Sequence, residues 1–222
     1  MHNEMISIKN PKSAAAEAFR TLRTNIQFSS LDEELKTIVV TSTQPGEGKS
    51  TVVSNLAITM AQTGKKVLLI DCDLRKPTIH KKLGISNQDG LTSLLSKEKS
   101  AEEVIKASSI PNFYVLTSGP IPPNPAELLG SKRFKALIKE LGEVFNVILL
   151  DAPPVLAVTD AQLLSTFCSG VVFVAGYGQA EKHAIVRAKE LIDKVGGKIL
   201  GVVINKIPAK SKSYYYYSYD YK

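Results

Sequence analysis

Six stretches of the chain are apolar at nearly every position: residues 37–42 (TIVVTS), 66–71 (KVLLID), 113–118 (FYVLTS), 147–151 (VILLD), 171–175 (VVFVA) and 199–205 (ILGVVIN). They are short, rich in β-branched residues and do not alternate with polar positions. Strands covered on both faces have this pattern. Between them, residues 50–63, 132–144, 160–167 and 180–195 have the spacing of helices, and Gly64 and the Gly196-Gly197 pair stop two of them. The alternation predicts an α/β domain, a doubly wound and mainly parallel sheet with helices on both faces.

Two segments flank this core. Residues 11–29 begin with Pro11 and Ser13, and Ala15, Phe19, Leu22 and Ile26 then recur at helical spacing. An amphipathic helix ahead of the first core strand is expected. Residues 208–222 hold Pro, Lys, Ser and Tyr with almost no aliphatic side chain, so they are expected to form a flexible tail. The predicted division is an N-terminal segment over 1–35, a nucleotide-binding domain over 36–207 and the tail over 208–222. Six of the eight tyrosines lie in the tail: Tyr214, Tyr215, Tyr216, Tyr217, Tyr219 and Tyr221.

With 222 residues, 44% hydrophobic and 22% charged, the chain has the size and mix of one ordinary globular domain with short extensions. No apolar run approaches the ~20 residues of a membrane span. The first ten residues carry no apolar core of an export signal. Cys72 and Cys168 make no disulfide framework; reduced, buried thiols in a cytosolic setting are expected. The net charge of +7, from 28 basic and 21 acidic residues, suits an anionic partner but does not choose among nucleotide, nucleic acid and acidic membrane.

The chemistry is concentrated in three places. TSTQPGEGKST, Thr41 to Thr51, follows a predicted strand and opens a helix. Gly46 and Gly48 let the backbone curl into an anion nest, Lys49 can reach the β- and γ-phosphates, Ser50 can ligate Mg²⁺, and the helix N-terminus adds its dipole. Backbone and side chains from Gly46, Glu47, Gly48, Lys49, Ser50 and Thr51 are the expected nucleotide contacts. This is the phosphate-binding loop of P-loop NTPases, G-x-x-x-x-G-K-[ST], with Thr43 where the first glycine is usual. LLIDCDLRKP ends a strand in Asp71 and Asp73, whose spacing of two predicts that both carboxylates leave the strand on one side. VILLDAPP places Asp151 at another strand end. Parallel-sheet ligands sit at the carboxyl ends of strands, so these groups are expected at one edge. Two or three protein oxygens plus phosphates would complete a Mg²⁺ shell, leaving one aspartate to accept a proton from an attacking hydroxyl.

QPGEGKS, LLIDCDLRKP and VILLDAPP together resemble the Walker A, A′ and B motifs of bacterial protein-tyrosine kinases (BY-kinases). These are P-loop enzymes of capsule and exopolysaccharide synthesis, unrelated in fold to eukaryotic kinases. The resemblance spans nearly the whole chain and includes EAFRTLR near the start and the tyrosine cluster at the end. It implies ATP and Mg²⁺ as cofactors. It implies that Lys49 and Ser50 hold phosphates and metal, that Asp73 and Asp151 serve the metal, and that Asp71 orients or deprotonates the incoming tyrosine. Asn205 resembles the asparagine that contacts adenine in related ATPases; a polar strand end is the plain alternative. In EAFRTLR, the residues Glu17, Arg20 and Arg23 share one side of a helix. A solvated charged face is the usual outcome of such spacing, whereas in the family this motif joins subunits into a ring, an octamer by the resemblance. The Gram-positive arrangement further implies a separate transmembrane activator of the polysaccharide co-polymerase type. It also implies a tyrosine phosphatase acting on the tail, no nucleic-acid partner, and a cytoplasmic protein recruited to the inner face of the membrane.

Three functions compete: a tyrosine autokinase, a nucleotide-switched positioning ATPase and a non-catalytic regulator. The second class usually carries a lysine early in its loop, where this chain has Gln44. The third has no need of all three carboxylates. The first alone gives the tail a task, because a phenol of pKa ~10 needs a carboxylate to take its proton before it attacks.

Overall fold

The computed structural model describes residues 5–30 and 34–208. The six tail tyrosines lie outside the described residues. In chain order the elements are α1 (Ile6–Lys9), α2 (Ala14–Phe28), β1 (Thr37–Ser42), α3 (Lys49–Ala61), β2 (Val67–Asp71), α4 (Ile79–Leu83), α5 (Leu91–Leu95), α6 (Ala101–Val104), β3 (Lys106–Ala107), β4 (Phe113–Leu116), α7 (Pro125–Gly130), α8 (Lys132–Val144), β5 (Val147–Asp151), α9 (Asp160–Ser165), β6 (Gly170–Gly176), α10 (Lys182–Asp193) and β7 (Ile199–Asn205).

The strands form one sheet in the order β3-β4-β2-β5-β1-β6-β7, and every pairing is parallel except β3 with β4. Alternate residues of each central strand feed opposite cores. Ile38 and Val40 of β1 and Leu69 of β2 join Val53, Leu56 and Met60 of α3 on one face. Val39, Leu68, Ile70 and Leu150 join Phe134 and Ile138 of α8, Leu164 of α9 and Ile192 of α10 on the other. The α3 helix, buried along most of its length, is clamped between the sheet and α2. The Ser13 hydroxyl caps α2 by accepting the Ala16 N–H at 3.2 Å. That helix docks through Ala16, Phe19, Leu22 and Ile26; Ala15, expected on this stripe, is only partly buried.

One expectation needs correction. β7 is not covered on both faces: among the described residues it pairs only with β6, at the sheet edge, and Val202 and Ile204 are each 47% exposed. Its apolar run looks like a central strand because periodicity does not register how many neighbours a strand has. The sheet is mainly parallel, as expected; the exposed two-residue β3, which the apolar pattern does not mark, pairs antiparallel beside β4. No helix among the described residues is long and apolar enough to cross a membrane. Cys72 and Cys168 are both free, the first buried and the second partly so.

Candidate functional site

The loop between β1 and α3 makes its two sharpest turns at Gly46 and Gly48, with φ of 85° and 92°. Thr43 has no positive φ, so the usual glycine is not required there. Its hydroxyl instead donates to both Glu47 carboxylate oxygens, at 3.0 and 2.8 Å. Glu47 is buried and also accepts the backbone N–H of Gln44 at 2.8 Å and of Gly176 at 3.2 Å. Its side chain therefore braces the loop from within, leaving any phosphate contact of Glu47 to its backbone. Asn205, at the end of β7, donates its Nδ2 to the Glu47 carbonyl at 2.9 Å. A Cβ on Gly48 would come within 2.2 Å of that nitrogen. One N–H of the Asn205 amide is thus engaged in holding the loop.

The three carboxylates converge as expected. In the sheet register Asp71 of β2 lies directly opposite Asp151 of β5. Lys49 Nζ bridges Asp73 Oδ2 at 2.9 Å and Asp151 Oδ1 at 3.3 Å. The predicted geometry of the D-x-D pair is corrected, however. The strand ends at Asp71, whose Oδ1 accepts the Asp73 N–H at 3.2 Å, an Asx-type turn that swings Asp73 out of strand geometry. Asp71 Oδ2 accepts the N–H groups of Thr78 and Ile79 at 3.1 and 3.0 Å. Asp71 therefore anchors the following loop and is fully buried, with three of roughly four lone-pair positions engaged. Burial, reinforced by the charge of Asp151, pushes the Asp71 carboxyl up to about 8 against the opposing pull of the Ile79 N–H and Lys49. Burial likewise raises Asp151, offset in part by Lys49 and the Ser50 hydroxyl. For Lys49, burial alone favours the neutral amine, but Asp151 and Asp73 outweigh it and hold the ammonium above its ordinary range.

The donor set fits the Mg²⁺–nucleotide group that the fold implies. Asp151 Oδ2 is buried and has no hydrogen-bond partner, an orphaned acceptor next to Ser50 and Asp73. Among the described residues no three His, Cys, Asp or Glu side chains form a complete metal cage. Mg²⁺ takes one or two carboxylates and fills its shell with phosphate and water oxygens.

Two contacts at this edge involve residues that the motifs did not single out. Arg75 forks onto Asp160, with Nε to Oδ2 at 3.0 Å and Nη2 to Oδ1 at 3.1 Å. Lys82 of α4 donates to the Thr51 hydroxyl at 2.9 Å. Both pairs are distant in sequence, so no local pattern announces them. In the N-terminal helix, Arg20 pairs with Glu17 at 2.6 Å and donates to the Pro11 carbonyl at 2.8 Å. Arg23 donates to the Thr59 carbonyl of α3 at 3.1 Å, tying the two helices together.

Residues 35–196 match the family description of an AAA domain. The chain is similar to the tyrosine-protein kinase YwqD of Bacillus subtilis (strain 168), 48% identical over 218 residues, which cover 98% of this chain and 92% of that one. Among solved structures it is similar to the chimerical protein CapA2B2, with a TM-score of 0.89 and 45% identity over 92% of this chain and 90% of the other. It is also similar to the kinase domain of the Escherichia coli tyrosine kinase ETK, with a TM-score of 0.90 and 31% identity over 98% and 84%.

Proposed function

Because the chain belongs to the bacterial protein-tyrosine kinases, enzymes built on a P-loop ATPase fold, we propose that it phosphorylates its own C-terminal tyrosine cluster, between subunits of a ring, to regulate capsular or exopolysaccharide synthesis and export. The observation that carries this reading is Lys49 Nζ poised between Asp73 and Asp151, with Asp71 opposite Asp151 in the sheet register. When bound, Mg²⁺ would neutralise phosphate charge in the transferring group. Ser50, Asp73 and Asp151 would hold it. Lys49 would leave its carboxylates for the β- and γ-phosphates, and the backbone of Gly46 to Gly48 would cradle them. Asp71, through its remaining lone pair on Oδ1, would take the phenolic proton. The phenolic oxygen then forms its bond to the γ-phosphorus as the bond to the β-bridging oxygen breaks, and ADP leaves.

Glu17, Arg20 and Arg23 are the proposed subunit contacts, and a transmembrane activator is the proposed partner at the inner face of the membrane. Support for the partner is the likeness to a chimera whose name joins CapA and CapB parts. Each phosphate adds about −1.5 to −2 charge to the tail. Several would repel one another, end tail insertion and release the ring, and a tyrosine phosphatase would reset it. The trans step is tested by mixing Lys49→Met protein, which keeps its tail, with tail-deleted protein, which keeps its site. Phosphotyrosine on the Lys49→Met chain is expected; its absence, with wild-type protein active under the same conditions, would rule out transfer between chains.

A further inference from the structure

Lys82 belongs to none of the nucleotide motifs, yet the fold returns it to the phosphate loop. Asp71 Oδ2 fixes the start of α4 through the N–H groups of Thr78 and Ile79. One turn later Lys82 reaches across to α3, where its ammonium donates to the Thr51 hydroxyl at 2.9 Å. Thr51 is the third residue of α3, directly after Lys49 and Ser50. Lys82 is half-buried, and among the described residues no carboxylate lies within ion-pair distance of it. Lys49, by contrast, has two carboxylates. A half-buried ammonium whose partner is a neutral hydroxyl carries uncompensated charge. It stands beside a glycine nest and a helix N-terminus, both of which attract anions.

We propose that Lys82 is a second phosphate-binding lysine of this site, acting on the diphosphate portion that ADP and ATP share. The inference rests on the reading of the loop as an ATP site. The choice of phosphate follows from the carboxylates. Asp73 and Asp151 mark the metal and transfer end, where Lys49 pairs with both. Lys82 pairs with neither and meets α3 at Thr51, two residues beyond Lys49, so its charge serves binding rather than transfer.

The test is the dissociation constant of the full chain for ADP and for a non-hydrolysable ATP analogue, in wild type, Lys82→Met, Lys82→Gln and Lys82→Arg. Lys82→Met is expected to weaken both nucleotides by about tenfold, which is about 1.4 kcal/mol, with their ratio unchanged. Lys82→Arg should stay within about threefold of wild type, since it keeps the charge. Lys82→Gln separates charge from mere structure: it can still hydrogen-bond Thr51, so a structural role would be rescued by it and a charge role would not. ADP affinity that is unchanged in Lys82→Met, restored in Lys82→Gln, or lost only for the ATP analogue would overturn the proposal. If wild-type protein binds neither nucleotide, the ATP-site reading itself fails and this inference falls with it. Wild-type binding with unaltered variants would sink only the role of Lys82.

Discussion

Arg75 and Asp160 tie the loop after β2 to the helix that follows β5, through two hydrogen bonds of 3.0 and 3.1 Å. The Asp160 side chain is fully buried, whereas that of Arg75 is 38% exposed. The pair thus joins the loop that carries Asp73 to the segment that follows Asp151, independently of Lys49. Lys49 must leave those carboxylates to serve the nucleotide, and the Arg75–Asp160 fork remains to hold the loops in register. Removing the partners has unequal costs. Arg75→Ala strands a buried carboxylate and should destabilise the ligand-free protein by about 3 kcal/mol, the low end for a broken buried pair because the arginine side is partly solvated. Asp160→Asn keeps the shape and removes the charge, so it should cost less. Urea unfolding of the two variants checks the order, and equal losses would contradict it.

The Thr43–Glu47 brace gives a second prediction. Replacing Thr43 by glycine restores the usual phosphate-loop consensus, yet it removes the hydroxyl that bonds both oxygens of a buried carboxylate. Thr43→Gly should destabilise by about 1.5–3 kcal/mol, as expected for a lost hydrogen bond to a charged group, and should weaken ADP binding. Tighter ADP binding in this variant would show that the brace is not what shapes the loop.

For assembly, the three charged residues of the N-terminal motif are not equivalent probes. Arg23 already supports its own fold through the Thr59 carbonyl, so Arg23→Ala loosens α2 on α3 whether or not a ring exists. Among the described residues, the ion pair and side-chain hydrogen bonds of Glu17 and Arg20 stay within their own segment. Glu17→Ala and Arg20→Ala should therefore leave the unfolding midpoint within about 0.5 kcal/mol of wild type, as for exposed ion pairs, while reducing the ring to smaller species by mass measurement. An unchanged assembly in both would remove this surface from the interface.

Much of this molecule is legible in its sequence, for a physical reason. The central strands are buried on both faces, so their apolar runs are unbroken, and β1, β2 and β5 end in Ser42, Asp71 and Asp151 at the carboxyl edge where ligands bind. β1 with its loop, β2 with Asp71, and β5 with Asp151 stand out on that account. The short helices α4 to α7 do not, because four- to six-residue segments complete too few turns for a 3.6-residue period to show. The edge position of β7 depends on topology alone. Within the site, residue types were readable but partners were not. Asp71 and Asp73 look equivalent in LLIDCDLRKP; backbone N–H groups gathered by the chain reversal after β2 engage one, and Lys49 engages the other. Asp160 reads as an ordinary acidic residue in the first turn of a helix, and its partner lies 85 residues away.

The central claim is that Lys49, Asp71, Asp73 and Asp151 transfer phosphate to the chain's own tail tyrosines. The direct measurement is to incubate the full chain with Mg·ATP, digest it, and map phosphotyrosine by mass spectrometry in wild type, Lys49→Met and Asp71→Ala. The account predicts phosphate on the cluster Tyr214, Tyr215, Tyr216, Tyr217, Tyr219 and Tyr221 in wild type and at least a hundredfold less in both variants, the scale of loss for a general base or a charge-stabilising group. Phosphotyrosine confined to other positions, or undiminished labelling of the cluster in Asp71→Ala, would contradict it.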